Sequence, residues 1–341
     1  MNKIFDEEKD IILFGLGDDC DILIQLIEDE LKYIDCIIDN DCTKWNSVSN
    51  GFAVNEPSQS LCEDKTIIIT EKKANIVFKM IKQLIKMGVS ENSIYYIDDL
   101  LHELIEKKIS KVYDVLFDST SKHVLKEYLK IRNSGSNDYS SITDYTMQQY
   151  DFQEQFVYKQ DEVFIDGGAY DGTTIWGFAE KVNYKFRKIY SFEPDPNCYN
   201  IIYSKLQNDE KIFHRCKLIQ KGLSNTNTTL KFISDDTGFG NINASAGNIE
   251  IRVTRLDDEV DDYVSFIKLD IEGHEINALV GAKKTITTYK PKLAICLYHR
   301  PEDVWTIPLY LKKLVPEYNF FIRHHTEKRN ELVLYAVINK T

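Results

Sequence analysis

The sequence predicts an α/β protein of two sheet-containing units joined by helices, on three observations. Twice an apolar strand runs directly into a glycine-bearing turn and then an amphipathic segment, in "IILFGLGDDC" from Ile11 and in "EVFIDGGAYDGTT" from Glu162. Between these units lie about sixty residues with helical periodicity and no strand signal. The chain then closes on two β-rich stretches, "YNFFIRHH" and "ELVLYAVI", joined by a polar turn.

Length and charge narrow the function. A chain of 341 residues is long for one hydrophobic core. Its formal net charge of −12 excludes non-specific attraction to nucleic acid or an anionic membrane. No apolar run reaches the roughly 18–20 residues of a membrane span. The opening "MNKIFDEEKD" is too acidic for a signal peptide. Seven scattered cysteines without a C-x-x-C pair read as buried free thiols, and with them the expected location is the reducing cytoplasm.

In the first half, the strand from Ile11 leads through Gly15-x-Gly17 into an amphipathic stretch over Asp21–Tyr33. A second strand, "YIDCIIDND", places Asp39 at its carboxyl end. The pattern resembles a dinucleotide fingerprint, but Cys20 stands where a third small residue belongs. Glycines that only let the chain turn tightly are the competing reading. The strand "KTIIIT", a helix over Lys73–Met87 ended by Gly88, and the strand "SIYYID" complete a small Rossmann-like unit over residues 1–112. A helical linker over 113–155 follows, with Asp118 or Ser119 as a helix cap.

The second glycine turn is the informative one. "EVFID" is a short buried strand ending at Asp166, and Gly168 and Gly172 complete D-x-G-x-x-x-G before Thr173 and Thr174. A phosphate loop would follow the turn with G-K-[ST], and there is no lysine. A hydride-carrier loop would not put Asp171 against a pyrophosphate. An acidic turn suits a cationic ligand. S-adenosylmethionine brings an ammonium and a sulfonium to that end, with a carboxylate for the helix N-terminus and the threonine hydroxyls. The next strand, "KIYSFEPDP", ends at Glu193, 27 positions after Asp166. A carboxylate presents only acceptors, which suits two ribose hydroxyls.

Together "EVFIDGGAYDGTT", "IYSFEPDP", "FIKLDIEGHEINALVGAKKTI" and "PKLAICLYHRPEDVWTIP" resemble the FkbM family of S-adenosylmethionine-dependent methyltransferases, from about Tyr150 to Ile338. The resemblance implies a class I methyltransferase fold over 156–341, seven-stranded with its last strand antiparallel. It implies S-adenosylmethionine as the methyl donor and oxygen as the methylated atom, with carbohydrate among the acceptor classes. The expected donor site comprises Asp166, Gly168, Tyr170 and Gly172 with Thr173 and Thr174. Glu193 and Asp195 join it from the second strand, Gly222 and Leu223 near the adenine, and Asp270 from the fourth. "CKLIQKGLS" is expected as the third strand, with "TTLKFIS" and "IEIRVTRLD" as an inserted pair of strands.

Methyl transfer to oxygen needs an aligned hydroxyl and a destination for its proton. The fourth strand ends at Asp270, followed by Glu272 and Glu275, and the fifth at Tyr298-His299-Arg300. His299 is the expected base, since an unperturbed pKa of about 6.5 suits proton removal near neutrality. Asp270 serves instead or orients the donor. Asn241 and Asn243, in the polar segment 234–248, are expected to meet a hydroxylated acceptor, and Trp305 to stack on a sugar ring. The Arg323-His324-His325 run is placed on the same side. Mg²⁺ is conceivable through the carboxylates at these strand ends, but no resident metal is expected.

The leading expectation is O-methylation of a sugar or sugar-like small molecule, with a peptide or lipid-linked acceptor as the nearest alternative. A nucleotide-sugar oxidoreductase using the first G-x-G would need Tyr-x-x-x-Lys, and Tyr203 and Lys205 stand at the wrong spacing. The first half or the linker is also the expected surface of any homodimer.

Overall fold

A computed structural model describes residues 10–27, 33–152, 155–233, 241–242 and 249–338. The chain divides into two compact units, Met1–Ser110 and Lys111–Thr341.

In the first unit β1 (Ile11–Phe14) leads into α1 (Asp18–Leu26) and β2 (Ile34–Ile38). β3 (Ser47–Ser49), β4 (Phe52–Asn55), β5 (Thr66–Ile69), α2 (Ala74–Lys86) and β6 (Ile94–Tyr96) follow. The sheet order is β3-β4-β2-β1-β5-β6, parallel except for the β3–β4 edge pair. Every residue of β1 and β5 is buried, as expected of central parallel strands covered on both faces.

Two long helices follow, α3 (Ile97–Val115) and α4 (Ser119–Ser134). Asp118 caps α4 by accepting the Ser121 N–H at 2.7 Å.

The second unit continues with β7 (Val163–Gly167), α5 (Thr173–Lys181), β8 (Lys188–Phe192), α6 (Pro196–Gln207) and β9 (Cys216–Ile219). Next come β10 (Gly222–Leu223), β11 (Thr228–Ile233), β12 (Asn241–Ile242) and β13 (Ile249–Thr254). The chain closes with β14 (Phe266–Leu269), α7 (Glu275–Gly281), β15 (Lys292–Cys296), α8 (Asp303–Leu314), β16 (Asn319–His324) and β17 (Leu332–Val337). The main sheet has seven strands in the order β16-β17-β15-β14-β7-β8-β9. β17 is antiparallel to both neighbours, so the closing pair takes the form the sequence predicts. Phe152, Phe156, Phe164, Phe178, Phe266 and Tyr335 form an aromatic core.

Two details differ from the sequence reading. "CKLIQKGLS" is not one strand: β9 stays in the main sheet, while β10 joins a second sheet of order β10-β13-β11-β12. Nor is α4 a free linker. Its Ser121 hydroxyl accepts the Ile322 N–H at 2.9 Å, and Asp118 pairs with Arg323 at 2.8 Å, fixing α4 to β16.

Candidate active site

The glycine turn after β7 is held from beneath. Gly168 has φ +79°, and a Cβ there would lie 1.9 Å from the Asp270 carbonyl oxygen, so only glycine lets these two strand ends approach so closely. Asp166 and Lys268 are neighbours across the β7–β14 pairing and form an ion pair at 3.2 Å, Asp166 fully buried and Lys268 nearly so. Thr174 Oγ1 donates to Asp166 Oδ2 at 2.6 Å, and Lys268 Nζ donates to the carbonyls of Gly167 (3.1 Å) and Gly168 (2.6 Å). Burial lowers the lysine's pKa, but Asp166 and Asp270 outweigh it and the net shift is upward. A buried pair tolerates its desolvation when such added hydrogen bonds complete it.

This arrangement sets part of the expected donor site apart from the main cavity. Asp166 supports the turn and does not reach the main cavity. Thr174 uses its hydroxyl inward, and Thr173 donates to Asp171 at 2.7 Å. Both threonines line a second cavity, with Gln148, Tyr158 and Lys181. Gly172, with φ +85°, caps α5 and is also absent from the main cavity's lining.

That main cavity, about 320 Å³, lies at the carboxyl ends of β7, β8 and β14. Gly168, Tyr170, Glu193, Asp195, Gly222, Leu223 and Asp270 line it, with Phe232 and Ile251 from the second sheet. Glu193 is 6% exposed. Its Oε2 accepts the Tyr170 N–H at 2.8 Å and its Oε1 the Asp195 N–H at 2.9 Å. Burial pushes its pKa up to about 7 against the pull of those N–H groups. The carboxylate is thereby aimed while each oxygen keeps capacity for a further donor. Asp195 also caps α6, accepting the N–H groups of Asn197 (2.7 Å) and Cys198 (3.2 Å).

At the other end, Asp270 accepts the Tyr150 hydroxyl at 2.7 Å and the Tyr298 hydroxyl at 2.9 Å. Burial would raise its pKa, but Lys268 and His299 overcome this and hold it below the usual value. Glu272, at φ +58°, and Tyr298 also line the cavity.

His299 is not on the cavity wall. Its Nδ1 lies 2.9 Å from Glu275 Oε1, and its Nε2 lies 3.4 Å from Asp270 and 3.5 Å from Glu272. Burial alone would lower its pKa; Glu275 and then Asp270 and Glu272 outweigh it and raise it to about 9. An imidazolium at neutral pH has no lone pair for a proton, which counts against His299 as the expected base. Sequence spacing could not reveal the cause, namely that Glu275 turns inward from α7 and is fully buried.

Other expected residues lie elsewhere. Arg300 is exposed, its side chain packed against Gly273. Trp305 is buried in α8 at 9% exposure, away from the cavity. Arg323 pairs with Asp118, His324 is fully buried, and His325 Nε2 lies 2.9 Å from the Tyr335 hydroxyl. Asn241 opens β12, while Asn243 is outside the described residues.

Lys268, Tyr150 and Glu331 are among the residues at the site that escaped the sequence reading. Lys268 carried a signal, a lone lysine inside the apolar run "FIKLD". Tyr150 carried none; its place depends on φ +64° and on its N–H donating to the Tyr335 hydroxyl at 3.0 Å. Glu331 lines the cavity from the residue before β17.

The first unit's turn closes on itself. Asp39 accepts the Leu16 N–H (2.7 Å) and Asp41 N–H (2.8 Å) and pairs with Lys44 at 3.1 Å. The adjoining cavity is about 190 Å³, and the first turn of α1 carries Asp18, Asp19 and Asp21, which disfavour a pyrophosphate.

Residues 166–328 match the family model described as Methyltransferase FkbM domain. No curated protein matches the chain. Among solved structures, a methyltransferase FkbM from Methylobacillus flagellatus KT superposes with a TM-score of 0.60 at 19% identity, over 98% of this chain and 92% of that one. An rRNA methylase from Streptococcus thermophilus gives 0.37 at 14%, over 54% and 90%. Fibrillarin from Aeropyrum pernix, with natively bound S-adenosyl-L-methionine, gives 0.35 at 12%, over 52% and 67%. Residues 166–328 therefore carry a methyltransferase FkbM domain, which makes the chain a methyltransferase.

Proposed function

We propose that the protein transfers a methyl group from S-adenosylmethionine to a hydroxyl of a sugar or sugar-like small molecule. One observation carries the donor assignment. The main cavity is lined by five carboxylates (Glu193, Asp195, Asp270, Glu272 and Glu331) and, among the described residues, by no lysine or arginine. Such a wall favours a ligand carrying an ammonium and a sulfonium and disfavours a phosphate-rich one.

The chain's own groups divide the work. Glu193, fixed by two N–H groups, accepts hydrogen bonds from the ribose hydroxyls. Leu223, Phe232 and Ile251 supply an apolar face for the adenine. Asp270, held by Tyr150 and Tyr298, sets negative charge at the end where the donor is cationic. Bound there, the donor supplies an electrophilic methyl group. His299 and Lys268 stay protonated behind the wall and keep Asp270 ionised. The acceptor side rests on the carboxylate wall and on the polar composition of 234–248, both suited to hydroxyl groups.

The test is incubation with methyl-labelled S-adenosylmethionine and separate panels of free sugars, peptides and lipid-linked glycans. Label in an alkali-stable ether on a sugar is the expected result. Transfer to peptide alone would replace the acceptor assignment.

A further inference from the structure

We propose that Glu331 takes the proton from the acceptor hydroxyl during methyl transfer, an assignment that rests on the donor reading above. The other four cavity carboxylates are already engaged. Glu193 and Asp195 accept backbone N–H groups, Asp270 accepts two tyrosine hydroxyls, and Glu272 faces the His299 ring at 3.5 Å. Glu331 differs. Among the described residues no cation lies within ion-pair distance of it. Its Oε1 takes only a long 3.3 Å hydrogen bond from the Asn330 amide at an exposed position, and its Oε2 is buried with no partner.

The fold sets this carboxyl deliberately close to the reacting end. Glu331 has φ +72°, and its carbonyl accepts the His325 N–H at 3.1 Å. The next residues enter β17, which pairs with β15 through Cys296↔Val333. That register brings the Glu331 carboxyl beside Cys296 and Asp270, with polar atoms of all three within 4.8 Å of one another. The residue lines the same cavity as Asp270, Tyr298 and Gly168.

Its electrostatic setting suits the task. Burial, and then the Asp270 carboxylate, push the Glu331 pKa up to about 7, while His299, Lys268 and the Asn330 amide pull against them. Tyr150, Tyr298 and Cys296 also face it, and burial raises the pKa of each, so all three remain neutral near pH 7. A base titrating near the working pH combines a usable deprotonated fraction with real basicity.

The step balances. The acceptor O–H bond breaks, its proton goes to the Glu331 carboxylate, and the oxygen lone pair forms the new O–CH₃ bond. The methyl–sulfur bond breaks with its electron pair left on sulfur. Carboxylate and sulfonium become carboxylic acid and neutral thioether, so no charge is left over.

Two donor analogues test the assignment without an acceptor. Sinefungin places a protonated amine where the reactive methyl sits, and S-adenosylhomocysteine has nothing there. Calorimetry on the full chain should show the sinefungin preference over S-adenosylhomocysteine rising about ten-fold between pH 6 and pH 8, as a charge pair forms. Taking the ratio cancels titration of Glu193, which meets the ribose of both ligands. In Glu331→Gln the ratio should be flat with pH, and in Glu331→Asp a weaker rise should return. A pH-independent ratio in the wild type, or an unchanged rise in Glu331→Gln, overturns the assignment while leaving the donor reading intact. Failure of the folded wild type to bind either analogue overturns both.

Discussion

His299 illustrates how one buried neighbour redirects a residue's chemistry. Its folded pKa of about 9 stands above the unfolded value of about 6.5. The stabilisation this shift represents is therefore fully present below about pH 6.5 and lost as pH rises through about 9. Thermal unfolding of wild type and His299→Gln should show a Tm gap that is widest near pH 6 and narrows toward pH 9.5. A gap independent of pH would mean that the ring is neutral. The sequence revealed residue types well and side-chain directions poorly. Glu193 and Gly168 line the cavity. Asp166, Thr173 and Thr174 belong to the same motif but face away, because the Lys268 ammonium lies beneath the turn and draws the aspartate to it.

At the scale of elements, the strand pattern was readable because central parallel strands are continuous apolar runs with polar punctuation. "VFIDG", "KIYSF" and "FIKL" emerge as β7, β8 and β14. The departure of β10 into a second sheet was not readable, since Gly222–Leu223 pairs with β13 across about thirty residues of intervening chain. Close approach of strand ends is likewise invisible in sequence, yet it has a measurable cost. Gly168→Ala combines φ +79° with a Cβ 1.9 Å from the Asp270 carbonyl oxygen. It should destabilise the protein by more than about 3 kcal/mol in urea unfolding. A loss under about 1 kcal/mol would show that the β7 and β14 ends are further apart in solution.

For the whole molecule, every residue assigned to donor binding lies in the unit Lys111–Thr341. We propose that this unit folds and binds donor without the first. The cut belongs near 111, ahead of α4, because α4 carries buried Val124, Leu125 and Tyr128 and is fixed to β16. Residues 111–341 should give a cooperative thermal transition, whereas a fragment starting at 135 should not. Loss of donor binding in a well-folded 111–341 would assign part of the site to the first unit. The central claim, that the cavity beside Glu193 holds S-adenosylmethionine, is tested most directly by titrating S-adenosylhomocysteine into the full chain by calorimetry. Wild type should bind, and Glu193→Ala should bind more weakly by about 1.5–3 kcal/mol, the loss expected for hydrogen bonds to a charged group. Equal affinity in the two folded proteins, or no binding to the wild type, would contradict it.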